Sequence, residues 1–233
     1  MGLNDSIRSL KMRISGGGME WFLAIDVGAA IVMLMFWYFW FARYNRRRAL
    51  VVLHWVQTAC AGKGRVLKVR WQGTSRLLAE LRFPPHMFDH ARVVVRLLPR
   101  PVPTNWALSR WRKQKETLSF EADLDSAPRF QLDVHNHRWS GHNSGSLSSR
   151  NWLVTRPGPI VLTSRSKWGQ ELSPVINALM ASREKNFVNV RYSPDSPHFS
   201  ATLEIDSLPD QVGAEGWLEM LRELAAGAST SRH

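Results

Sequence analysis

Two hydrophobic rhythms divide the chain. The first has no polar phase at all: Trp21 to Ala42 (WFLAIDVGAAIVMLMFWYFWFA) holds 22 residues, of which only Asp26 is charged. Such a run predicts a helix without a polar face, and at about 1.5 Å per residue it is long enough to cross the roughly 30 Å hydrocarbon layer of a bilayer. The competing reading, a buried helix of a soluble core, asks one core to enclose 22 residues that are apolar on every side. A cleaved signal peptide fits poorly, because the run ends in FWYFWF and arginines and lacks a small-x-small site.

The second rhythm begins after Arg43. Arg46 to Ala61 predicts a helix with Leu50, Leu53, Trp55 and Val56 apolar, ended by GKG at 62–64. RVLKVRW and RLLAELRF then alternate in and out around QGTS, the pattern of a half-buried β-hairpin. ARVVVRLL (91–98) predicts another strand, and PRPVPT a stiff connection into NWALSRWRKQK (105–115), to which the pattern assigns no element. TLSFEADLD (117–125) and RFQLDVH (129–135) predict a second hairpin around SAP, and NWLVT with IVLTS a third around RPGP. ELSPVINALMASREK (171–185) is amphipathic at helical period. NFVNVRY and HFSATLEID predict a last hairpin, and AEGWLEMLRELAAGA (214–228) a closing helix.

The layout of helix, RVLKVRW, turn and RLLAELRF returns as helix 171–183, NFVNVRY, turn and HFSATLEI. Val69/Val190, Arg70/Arg191, Ala79/Ala201 and Leu81/Leu203 match at offsets of 121 and 122 residues. Either the two stretches are a repeat, or two hairpins obey one alternation rule. The predicted fold is a single-pass transmembrane α-helix followed by an α+β domain, antiparallel β-hairpins with two or three helices packed on one face. The expected divisions are a flexible segment 1–18, the transmembrane helix 19–45, a juxtamembrane helix 46–62, the domain 63–228 and a tail 229–233.

Charge sharpens this picture. Residues 43–116 carry seventeen basic side chains against Glu80, Asp89 and Glu116, whereas residues 1–42 balance to zero and residues 117–233 are slightly acidic. A basic block placed just after an apolar span predicts a surface facing an anionic partner. Arg43, Arg46, Arg47 and Arg48 outweigh the flank of Arg8, Lys11 and Arg13, so the positive-inside bias predicts the N-terminus outside and the domain in the cytoplasm. SGGGM at 15–19 also suggests a translated ribosome-binding site with Met19 as the start. The lone cysteine, Cys60, excludes an intrachain disulfide and a cysteine-based zinc site.

Inside the span, Ala24 and Gly28 form a small-xxx-small pair beside Asp26, a charge costly at that depth. Ala24, Asp26 and Gly28 are therefore the candidate contacts to another membrane helix, in a second copy or a larger membrane partner. A lone span with Asp26 reaching outward is the alternative.

Catalytic signatures are sparse. There is no phosphate-binding glycine loop, no GxGxxG after a strand, no HExxH and no GxSxG. Asp133, His135, His137 and His142 in DVHNHRWSGH are the candidate metal ligands of a membrane-anchored hydrolase, with His86 and His90 a second imidazole pair. The acidic pairs Asp123/Asp125 and Glu204/Asp206 carry no mark of general acid–base chemistry. Trp106 and Trp111 among Arg110, Arg112, Lys113 and Lys115 suit either stacked, unpaired bases or a lipid headgroup layer.

These features favour a non-catalytic accessory, scaffold or assembly protein without a cofactor. Its anionic-lipid surface is predicted at Arg46, Arg47, Arg48, Lys63, Arg110, Arg112, Lys113 and Lys115. Expected partners are anionic lipid headgroups and a membrane protein or second copy met through the span, with nucleic acid the less favoured ligand. A metal-dependent hydrolase and a membrane-tethered nucleic-acid module are the rival functions.

Overall fold

The computed structural model describes residues 3–84, 88–125, 127–128, 130–136, 152–155, 160–165, 187–208 and 211–229. Helix α1 runs from Leu3 to Ala59 without a break. The apolar run and the predicted juxtamembrane helix are therefore one element, which begins well before Trp21 and inside the segment expected to be flexible. Gly62 ends it at φ +76°, a conformation that costs a side-chain-bearing residue a Cβ clash, and the amide of Gly64 donates back to the Cys60 carbonyl at 2.8 Å.

After α1 come β1 (Arg65–Gln72), β2 (Arg76–Arg82), β3 (Asp89–Arg96), α2 (Pro103–Trp111), β4 (Thr117–Asp123), β5 (Leu132–Asn136), β6 (Trp152–Thr155), β7 (Ile160–Arg165), β8 (Phe187–Tyr192), β9 (Phe199–Glu204) and α3 (Gln211–Ser229). Among the described residues the nine strands form one antiparallel sheet in the order β1-β2-β3-β4-β9-β8-β5-β7-β6. The hairpins β1–β2, β6–β7 and β8–β9 fall where alternation predicts them, with Gly73 at φ +74° in the first turn.

One predicted hairpin is corrected. β4 and β5 are not neighbours: β3 and β9 occupy the two edges of β4, and β5 lies beyond β8. Alternation fixes which face of a strand is apolar but says nothing about which strand lies beside it. The predicted helix 171–185 lies outside the described residues.

The matched positions of the two hairpins occupy equivalent places in the ladders, while helix 171–183 lies outside the described residues. Val69 pairs with Ala79 as Val190 pairs with Ala201, and Val66 with Leu81 as Phe187 with Leu203. Each first strand is irregular at the same place, between Val66 and Lys68 and between Phe187 and Asn189. Ala79 continues to Val93 and Ala201 to Phe120, and Val93 pairs with Phe120. β1-β2-β3 and β8-β9-β4 are thus related by a pseudo-two-fold axis normal to the sheet, passing between Val93 and Phe120.

The two sheet faces differ as the alternation requires. Across one face, Lys68, Glu80, Arg92 and Glu121 stand side by side on successive strands, opposite charges adjacent, with Arg92 Nε 2.6 Å from Glu121 Oε2. The other face is the core. Ala49, Val52, Leu53, Trp55, Val56, Ala59 and Cys60 of and just after α1 are buried in it with Trp217, Leu218, Leu221 and Leu224 of α3. Trp217 sits between Trp55 (ring centroids 5.3 Å) and Phe120 (5.7 Å), and Phe120 also meets Phe88 at 5.1 Å. Tyr192 closes the far side, its hydroxyl donating to the Leu224 carbonyl at 2.9 Å.

Burial pushes the Cys60 thiol up to about 11, so almost none of it is thiolate at neutral pH. Iodoacetamide at pH 7.5 is expected to leave Cys60 unmodified in the folded protein and to alkylate it fully in denaturant. Mass spectrometry of the two samples checks this, and equal labelling would place the thiol outside the core.

Candidate functional site

The richest polar constellation lies where α1 leaves its apolar stretch and meets the domain. Asn45 is fully buried one turn beyond the aromatic run, and each of its side-chain atoms is engaged. Its Nδ2 donates to the carbonyls of Thr74 (3.2 Å) and Leu98 (3.0 Å), and its Oδ1 accepts from Arg100 Nη1 at 3.2 Å. A buried amide in hydrogen bonds with two separate segments, the β1–β2 turn and the β3–α2 connection, holds its helix at one rotation, since any turn of the helix leaves polar atoms dry and unpaired.

Glu116 is the second centre. Its side chain is 3% exposed, and its carboxylate accepts from Arg48 Nε, from Arg100 Nη1 and, at 3.1 Å, from the Leu98 amide. Arg48 also reaches Asp206 after β9. Burial works against the charge of Arg48, but the carboxylates of Glu116 and Asp206 outweigh it and hold its pKa above the ordinary guanidinium value. The Arg100 guanidinium, in turn, stands 5.0 Å over the ring of Tyr44. Together these contacts bind α1, the β1–β2 turn, the β3–α2 connection, the start of β4 and the end of β9.

Helix α2 is part of the same junction. Pro103 opens it, its missing amide costing nothing in the first turn, and Arg110 in the last turn suits the negative end of the helix dipole. This is the segment the sequence pattern leaves unassigned. Trp37, within the aromatic run, donates from Nε1 to the Arg100 carbonyl at 3.0 Å and meets Trp106 edge-on at 6.1 Å. The body of α2 therefore sits beside the last turns of the apolar run. Trp111 is 82% exposed at the C-terminal end of α2, where Arg110, Arg112 and Lys113 are exposed too, and Leu108 and, at the start of the helix, Val102 are also exposed.

The predicted surface residues thus divide. Arg46, Arg47, Arg110, Arg112 and Lys113 are exposed near this junction. Arg48 turns inward to Glu116, Lys63 pairs with Glu219, and Lys115 Nζ lies 2.8 Å from Glu204 Oε1. Ala24, Asp26 and Gly28 lie on the exposed part of α1, and a Cβ built on Gly28 would meet nothing within 4 Å. Among the described residues Trp21–Ala59 is the helix long and apolar enough to cross a membrane, and its most apolar stretch is not buried by the domain.

Of the predicted metal ligands, His137 and His142 lie outside the described residues, as does His86. Asp133 and His135 are on β5, where Asp133 is opposite Arg191 with 3.7 Å between Oδ1 and Nε. His90 is exposed at the start of β3. Among the described residues no three His, Cys, Asp or Glu side chains come together as a metal site.

Asn45, Arg100 and Glu116 were not distinguished by the sequence pattern. One signal does point to Glu116: it is one of three acids in a block with seventeen bases, and an isolated carboxylate there is a natural centre for ion pairs.

No protein-family model matches the chain. No curated protein matches it at a significant level. Among solved structures, the crystal structure of the mycobacterial trehalose monomycolate transport factor A, TtfA, is similar over 78% of this chain and 93% of that chain, at 9% identity and a TM-score of 0.39. A likeness at that level carries no argument about function.

Proposed function

We propose that the protein is a non-catalytic, single-pass membrane accessory or assembly factor, with its domain on the cytoplasmic side and held close to anionic lipid by α2. The carrying observation is the placement of α2. The Trp37–Arg100 hydrogen bond and the Trp37–Trp106 contact set α2 level with the aromatic end of the apolar run. There, exposed Trp111 and Leu108 meet the headgroup zone, where indoles favour the interface, and Arg110, Arg112 and Lys113 meet phosphate. Arg46 and Arg47 lie one to two turns beyond the aromatics and add to the same layer. The span itself offers Ala24, Asp26 and Gly28 to a second membrane helix, with the adjacent carboxylate seeking a polar partner there.

The hydrolase and nucleic-acid readings have less support. Asp133 faces an arginine, and the α2 cations are beside an apolar helix end, where lipid needs no further partner. Flotation of a fragment of residues 43–233 separates the possibilities. It is expected to rise with vesicles containing phosphatidylserine and to stay down with neutral vesicles. Replacing Arg110, Arg112 and Lys113 by alanine removes about 1 kcal/mol per cation, or roughly a hundredfold in partition. Flotation indifferent to vesicle charge, or retention on single-stranded DNA that vesicles do not compete away, would defeat the lipid assignment.

A further inference from the structure

The pseudo-two-fold axis leaves one strand edge unequal to its counterpart. β8 is paired on both sides, with β9 and with β5. Its counterpart β1 is the outermost strand, and among the described residues its ladder partner is β2 alone. The consequence is visible in burial. Val190, opposite Val134 of β5, is 1% exposed, whereas the equivalent Val69 is 42% exposed. Tyr192, opposite Leu132, is fully buried, and the equivalent Trp71 is half-buried. Arg191, exposed like its equivalent Arg70, has Asp133 directly across from it, whereas no described strand lies across from Arg70, Arg65 and Lys68 on the outer side of β1.

We infer that the free edge of β1 is a strand-addition site for an extended segment of another protein with an apolar–acidic–apolar pattern. The segment takes on β1 the register that β5 takes on β8. Its apolar residues fall opposite Trp71 and Val69, and its acid falls opposite Arg70. Backbone hydrogen bonds along the edge supply affinity, and alternate side chains supply selection. The charge on β1 decides between occupants. In an antiparallel pair of two β1 strands centred on Val69, Lys68 of each copy stands opposite Arg70 of the other, and like charges directly opposite are destabilising. The same cations that discourage self-pairing therefore favour an acidic guest.

The test uses the full chain in mild detergent and a fluorescent peptide, Thr-Leu-Asp-Val-Glu-Val, followed by anisotropy. Saturable binding is expected, with the peptide carrying Lys in place of both acids bound at least about tenfold more weakly, since it sets like charges face to face. Arg70→Glu should abolish that preference, because Lys68 still faces the second position, and Arg70→Glu with Lys68→Glu should reverse it, whereas the milder Arg70→Ala should only weaken the acidic peptide. Methylating alternate backbone amides of the peptide keeps every charge and removes the strand's hydrogen bonds, so binding should be lost. Binding that survives methylation would show attraction without strand addition and overturn the inference. So would failure of the acidic peptide to bind, or equal binding of both peptides, either of which reduces the β1 cations to ordinary edge protection.

Discussion

Glu116→Ala is expected to lower the stability of the detergent-solubilised protein by about 3–5 kcal/mol, the cost of stranding buried charge once one partner is removed. The carboxylate is 3% exposed and serves Arg48, Arg100 and the Leu98 amide at once. Without it, two half-buried guanidiniums face each other, and the amide loses its acceptor. For a chain of this size about 1 kcal/mol moves the midpoint by 2–4 °C, so a drop on the order of 10 °C is expected in a thermal melt. Glu121→Ala is the control. Its ion pair with Arg92 lies on the open face of the sheet, with the arginine 45% exposed, and such pairs contribute less than about 1 kcal/mol. If the two variants melt within a degree or two of each other, the junction is not the ion-pair centre described above.

Removing α1 at the wrong place is expected to be more damaging still. A fragment of residues 63–233 loses Ala49, Val52, Leu53, Trp55, Val56, Ala59 and Cys60, all buried in the common core. Burying a large apolar side chain stabilises by about 1.5–3 kcal/mol, so the loss of Val52, Leu53, Trp55 and Val56 alone approaches 10 kcal/mol. That is comparable to the whole stability of a typical domain. The fragment should show no cooperative melt and no near-ultraviolet circular dichroism from its tryptophans. A fragment of residues 43–233 keeps these side chains together with Asn45 and Arg48, and should melt cooperatively. A cooperative transition in the shorter fragment would mean that the second half of α1 is dispensable to the core.

Much of this architecture is legible in the residues because it is local. The apolar run declares itself by composition. RVLKVRW with RLLAELRF, and NFVNVRY with HFSATLEID, declare themselves by a two-residue period, and the C-terminal helix by its apolar stripe. The failure at TLSFEADLD and RFQLDVH is instructive for the same reason. Both runs are strands, but β9 returns from far along the chain to take the place beside β4. No local pattern encodes that exchange. The correspondence of β4 with β3 shows only in the assembled sheet, where β9 lies beside β4 as β2 lies beside β3.

The junction was less legible than the fold. Tryptophans and arginines at 105–115 mark a surface by composition, but the helix that orients them depends on Trp37 and Arg100, whose separation of 63 residues hides the contact. Asn45 sits among arginines in RYNRRR and gives no outward sign of being the fully buried residue there. Burial of a single polar side chain depends on what folds over it, which in this case is the β1–β2 turn and the β3–α2 connection.

The unbroken course of α1 through both the apolar run and the core has a geometric consequence. An α-helix advances about 1.5 Å and turns about 100° with each residue. Trp37 is keyed to α2 and Asn45 to the β1–β2 turn along one rigid axis. The domain is therefore indexed to the apolar run like a cog on a shaft, with a set azimuth as well as a set height. One residue added or removed before Trp37 leaves both keys intact and swings β1 and the basic face through more than a quarter of a circle relative to the start of the helix, while changing their distance from it by only about 1.5 Å. The direction in which the protein presents its open strand to a neighbour is thus encoded in a residue count.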